Sequence, residues 1–185
     1  MNVAQSMMDA FSDPRTRHAI LVHFPIALGT LATIPAIALA CTAFRNNALR
    51  IAAIAMLLVA SAGAGLAAGA GEEAEDLINE ATMTAQADAA LERHESLGEG
   101  GWMWPLGAAA ILALSFVKKV PVRLGAGTLG VIASIGVAGW VALTAHYGGE
   151  LVYRHGVGVG VSQPMPSGTD TLTAPPARGA VDDDD

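Results

Sequence analysis

Four stretches of this chain, roughly residues 19–44, 49–71, 101–117 and 124–146, are almost free of formal charge, and nearly every Asp, Glu, Lys and Arg lies between or beyond them. A helix needs about 20 consecutive apolar residues, within a range of about 17–25, to cross the hydrocarbon of a bilayer. Four such blocks in 185 residues predict an all-α, polytopic four-helix transmembrane bundle. A soluble core would spread its charge differently: only 15 % of the residues are charged, against roughly 25 % in an ordinary soluble domain. Trp102 and Trp104 flank the shortest block, where aromatic rings suit the headgroup level.

The connections predict the sidedness. Arg45 and Arg50 follow the first block, and Lys118, Lys119 and Arg123 follow the third, with no acid in either short loop. All 17 acids fall in the N-terminal tail, the second connection or the C-terminal region. The positive-inside rule then makes the basic loops cytoplasmic. Both termini and the long second connection are expected on the periplasmic side of a bacterial inner (plasma) membrane. The overall charge of −7 hides this division. Residues 1–17 form an outer tail without the basic start and apolar middle of a signal peptide, so the first membrane helix is expected to serve as its own insertion signal. The membrane domain covers 18–161, and the proline-rich, acidic tail at 162–185 is expected to be disordered.

Between helices 2 and 3 the connection is rich in good helix formers. Ala74, Leu77, Ile78 and Ala81 make one apolar stripe, and Ala87, Ala90, Leu91 and His94 make another. The stripes are out of phase, which predicts a short amphipathic outer segment of two helices, or one bent helix, along the outer surface.

With this topology His18, His23, His94, His146 and His155 all fall at the outer face. His18 lies at the boundary, where headgroup contact competes with a ligand role. His23 lies about 7.5 Å deeper and about 140° round the helix, unless Pro25 makes the helix start irregular. A histidine at that depth needs a buried partner. Pro35 offers a second kink. His94 can face the bundle, with Glu95 beside it. His146 precedes Gly148 and Gly149, which are expected to end the fourth helix and turn ELVYRHGVGVGV into an extended lid or hairpin that carries His155.

Neutral imidazole suits haem iron, copper and zinc. His23, His146 and His94 are candidate ligands for a b-type haem between helices. His18, His23, His94 and His146 are candidates for copper, zinc or iron instead. Gly63, Gly65, Gly69 and Gly71 leave room for a macrocycle or for tight helix packing. Glu72 and Glu73 could join a metal or proton site, or form a solvated acidic cap. The single cysteine, Cys41, excludes a disulfide framework and a CxxCH haem attachment. No catalytic serine or cysteine arrangement, phosphate loop or basic nucleic-acid surface stands out, and nothing points to an enzyme acting alone.

The pieces HAILVHFPIAL and GGELVYRHGVGV resemble the signature ends of a bacterial four-helix membrane family of unknown function, number 2231, over roughly residues 17–161. Members typically open the first motif with His-Pro, where this chain has His18-Ala19. The resemblance implies the membrane fold and favours His18, His23, His94 and His146 as the residues of interest. It implies no established reaction, although fusion of some relatives to cytochrome-like modules favours a redox role. Three functions remain open. The chain could be a haem- or metal-binding electron-transfer subunit served by redox membrane proteins or periplasmic cytochromes. It could be a non-catalytic structural or assembly subunit. It could also be a small proton-sensitive transporter or sensor. In each the lipid bilayer is a partner and nucleic acid is not.

Overall fold

The computed structural model describes residues 2–78 and 83–158; the expected tail at 162–185 and Ala81 of the first apolar stripe lie outside them. Among the described residues the chain is helical, with no strand. It opens with α1 (Val3–Ser12) and α2 (Pro14–Leu21), which divide a stretch expected to be a plain tail. Asp13 separates them by capping α2: its carboxylate accepts from the Thr16 amide at 3.0 Å, and Pro14 takes the first helical position. The Thr16 contacts hold the Asp13 carboxyl below the usual carboxylate range.

The first apolar block is not one smooth helix. Pro25 cannot donate a backbone hydrogen bond, and a π-helical turn spans Pro25–Gly29 at that point. A break at Ala32 precedes α3 (Thr33–Cys41), whose Pro35 sits in the first turn, where a missing amide hydrogen costs least. Ala43 and Phe44 then take left-handed conformations (φ 50° and 58°) in a tight reversal. Asn46 caps α4 (Asn47–Glu75) by accepting from the amides of Ala48 and Leu49. The helix takes in Ala74 of the first expected apolar stripe and ends at Glu75, with Leu77 and Ile78 following in a turn; among the described residues the second connection then holds one outer helix.

That helix, α5 (Ala85–Gly98), packs along the last helix. Its buried Ala87 and Ala90 belong to the second expected stripe. Gly100 (φ +66°) and Gly101 then turn the chain into α6 (Met103–Ala113), which a 3-10 turn extends over Leu114–Phe116. A side chain at Gly101 would collide with the Trp140 ring, whose Nε1 donates to the Leu97 carbonyl at 2.9 Å. The last helix, α7, is Val120–Tyr153.

Among the described residues three segments are long and apolar enough to cross a membrane: Pro14–Cys41, Asn47–Glu75 and Val120–Tyr153. The expected third block falls short because Gly100 and Gly101 delay its start and Val117 is already extended (ψ 129°). Its 11 α-helical residues pack closely on both α4 and α7. The core joining these elements mixes alanines with a few larger aliphatic side chains: Ala32, Leu57, Ala108, Ala109, Val137 and Val141 make one cluster. Such surfaces let backbones approach where lipid supplies no hydrophobic drive between helices. At Gly63 an added Cβ would stand 2.5 Å from Phe24 Cβ, so this glycine admits the first span at its π-helical turn. Gly69 faces nothing within 4 Å.

The bundle has two chemically distinct ends. Arg45, Arg50, Lys118 and Arg123 gather at one, and His18 and His94 meet at the other. From Arg50 to Ala67 α4 rises about 25 Å, and from Arg123 to Thr144 α7 rises about 31 Å, near the thickness of a hydrocarbon core.

Candidate functional site

The site at the histidine end is built twice on one local device. In an α-helix each side chain leans toward the N-terminus and covers the carbonyl one turn back. A glycine at position i+4 therefore bares the carbonyl of residue i to a donor from outside the helix. On α4, Gly71 bares Ala67, and His18 Nδ1 lies 2.8 Å from the Ala67 oxygen. On α7, Gly148 bares Thr144, and His94 Nδ1 lies 3.0 Å from the Thr144 oxygen. An added Cβ at Gly71 would stand 3.1 Å from His18 Nδ1, and one at Gly148 would stand 2.9 Å from His94 Cε1. Because a carbonyl only accepts, both rings must donate from Nδ1, which leaves Nε2 as the basic nitrogen of each neutral imidazole.

The two bonds bring the rings together, with centroids 6.2 Å apart in an edge-to-face arrangement (interplanar angle 77°). His18 thus ties α2 to α4, His94 ties α5 to α7, and the ring contact joins the two pairs. An ion pair reinforces the first tie: Arg17 Nη2 donates to Glu73 Oε2 at 2.5 Å, and Arg15 Nη2 donates to the Leu77 carbonyl at 2.9 Å. Glu73 is therefore engaged by Arg17 instead of joining a histidine. Arg93 lies over the Tyr147 ring (5.7 Å to the centroid) on the flank of α5.

Burial pushes the His94 pKa below its ordinary value; the Thr144 contact opposes this, and the neighbouring His18 adds to the lowering. A base whose protonated form is disfavoured in the docked state weakens docking as pH falls. The cost begins near the ordinary histidine value of about 6.5 and grows until the docked-state pKa is passed. Well above about pH 6.5 the His94 ring is neutral in both states and this cost vanishes.

The remaining candidates lie elsewhere. His23 is exposed and its Nδ1 donates to Ala19 O of its own helix at 2.7 Å. His146 is exposed, stands edge-to-face with Tyr147 at 5.3 Å, and lines a separate cavity with Glu150, Tyr153 and Arg154. Among the described residues no ring contact joins His23 to His146. Among the described residues no group of three or more His, Cys, Asp and Glu, at either histidine site or elsewhere, is placed to hold a metal ion. His155 lies in the turn after α7, where its amide donates to Glu150 O. The expected helix end at Gly148 and Gly149 is not observed. Both lie inside α7, and Gly148 makes room for His94 where a stop had been expected. Residues 150–153 of the expected lid or hairpin are likewise helical.

Residues 14–161, which hold both ends of the bundle, match the family described as predicted membrane protein (DUF2231). The chain belongs to that family. No curated protein and no solved structure matches it. The DUF2231 match takes in every residue of the histidine device, from His18 on α2 to Gly148 on α7.

The device predicts a contrast among glycines. Gly71→Ala and Gly148→Ala should each displace an imidazole and lower the thermal midpoint in detergent, at a cost of about 1–3 kcal/mol. Gly69→Ala and Gly149→Ala meet open space or only Tyr153 at 3.9 Å. These should be neutral or should stabilise by about 0.5–1 kcal/mol through helix propensity.

Proposed function

We propose that this chain is a non-catalytic, proton-responsive membrane subunit in which protonation of the histidine pair releases α5 from the bundle. The observation that carries this reading is the contact of His94 with His18, each ring already committed through Nδ1 to a helical carbonyl. A proton arriving at Nε2 adds charge to a partly buried ring beside a second imidazole. The other charged or titratable groups nearby are Glu95, Arg93 and Tyr147, with Glu150 on the next turn of α7 paired to Arg154. Arg17 and Glu73 flank His18 and neutralise each other.

The reading extends to topology. The basic end is cytoplasmic and the histidine pair, with both termini, periplasmic in a bacterial inner membrane. Its support is the absence of acids from the two basic connections. α6 and its 3-10 turn serve as a short fourth crossing. Their support is position: they carry the chain from Trp102, whose carbonyl accepts from Ser61 at 2.7 Å, to Phe116 beside Arg50. α5 then sits at the outer surface, where it meets the external pH.

Trp140 reports docking because its indole is bound to the last turn of α5. In a Trp102→Phe, Trp104→Phe background, Trp140 emission and the exchange protection of α5 amides should hold above about pH 6.5 and fall below it. His94→Asn keeps a donor for the Thr144 carbonyl and removes the titrating ring, so its response should be flat. A wild-type chain with unchanged α5 protection from about pH 8 to about pH 5 would exclude the reading.

One observation favours a second reading, a haem b or a copper, zinc or iron ion serving electron transfer. Backbone acceptors at Nδ1 orient a histidine to ligate through Nε2, and His18 and His94 have this arrangement. His23 shares the Nδ1 contact but is exposed, as is His146. A Soret band that shifts with dithionite, or stoichiometric metal lost in His18→Ala or His94→Ala, would carry this reading. Purified protein with neither would end it.

A further inference from the structure

The opposite end of the bundle holds a cationic cavity with no carboxylate in its lining. Arg50 is only 3 % exposed. Its Nη2 donates to the Phe44 carbonyl and its Nη1 to Asn47 Oδ1 at 2.6 Å. The guanidinium carbon stands 4.4 Å from the Phe116 ring centroid. Through the Phe44 bond Arg50 holds the left-handed reversal that starts α4. Its Nε is buried without a hydrogen-bond partner among the described residues, and so is Nε of Arg123 on α7. Arg45, Lys118, Arg50 and Arg123 line one cavity of about 300 Å³. The ion pairs among the described residues, Arg17–Glu73 and Arg154–Glu150, both lie at the other end.

A buried guanidinium with an unsatisfied N–H carries a desolvation penalty that a bound anion offsets. The positive-inside rule accounts for basic residues in these loops. It does not account for one of them being buried beside a second cation with both Nε groups lacking acceptors. We propose that this cavity binds the phosphate of an anionic phospholipid headgroup. Phosphate oxygens can accept from several N–H groups at once, and Arg donors match that geometry. The surroundings favour a lipid over free phosphate. Phe116 and Val117 of the lining are exposed, as are Leu114, Val120 and Val122 near them in the chain, and acyl chains would cover such apolar side chains. Basic pockets between helix ends are suited to such headgroups. The site is independent of the histidine pair, a hydrocarbon thickness away.

The test uses the full chain, delipidated in a neutral detergent, with native mass spectra and thermal midpoints recorded against added phosphatidylglycerol, phosphatidylcholine or inorganic phosphate. Phosphatidylglycerol should be retained and should raise the midpoint; phosphatidylcholine and inorganic phosphate should do neither. Arg123→Gln leaves the Arg50 anchor of the reversal in place and should weaken phosphatidylglycerol binding roughly tenfold or more. Arg154→Gln, at the other end, should bind as the wild type does. Equal effects of phosphatidylcholine, full stabilisation by inorganic phosphate alone, or unchanged binding in Arg123→Gln would each overturn the proposal.

Discussion

A helical carbonyl is ordinarily sealed twice, by the amide four residues on and by the side chain of that residue leaning back over it. At Ala67 and Thr144 the second seal is missing, because Gly71 and Gly148 occupy the i+4 positions. Each bared oxygen takes an imidazole Nδ1–H. Through these bonds α2 is held on α4 and α5 on α7, and from them follow the ring contact, the Nδ1 tautomers and the burial of His94. Without them α5 would keep the Trp140 contact and a face of buried alanines, which together offer little area to hold a 14-residue helix in place.

The bundle between the ends is chemically plain, with alanine, glycine and a few larger aliphatic side chains packed closely. Its polar side chains mostly satisfy their own or a neighbouring helix: Ser134 donates to Gly130 O and Ser115 to Leu112 O. Chemistry is therefore pushed to the two ends, which differ in kind. One end holds a pair of imidazoles with a compensated ion pair beside them. The other concentrates permanent cations around a cavity. The net charge of −7 describes neither.

Much of the fold is legible in the sequence, because charge and apolar length are one-dimensional properties. Three of the four expected blocks appear as segments able to span a membrane, and the irregularity expected at Pro25 appears as a π-helical turn. The third block was less legible, since its start depends on Trp140 wedging against Gly101, a contact between residues far apart in the chain. Gly148–Gly149 reads as a helix stop for the same reason. A glycine that ends a helix and one that admits a partner look alike until the partner is placed. Within the candidate site, the stripe with Ala87 and Ala90 allows His94 to face the bundle, and its ring lies against the Thr144 carbonyl of α7. Its pairing with His18 is not legible in that stripe. A signal was present nonetheless: Ala67 to Gly71 and Thr144 to Gly148 share one spacing on two helices. The Arg17–Glu73 pair had no local signal at all.

The histidine tautomers test this geometry most directly. Nitrogen NMR of the histidine-labelled chain at about pH 8, assigned with His18→Asn and His94→Asn variants, reports which ring nitrogen carries the proton. Carbonyl acceptors at Ala67 and Thr144 require protonated Nδ1 and bare Nε2 on both rings. That pattern, lost at His94 when Gly148 becomes alanine, is the expected result. A proton on Nε2 with bare Nδ1 at either His18 or His94 would contradict it.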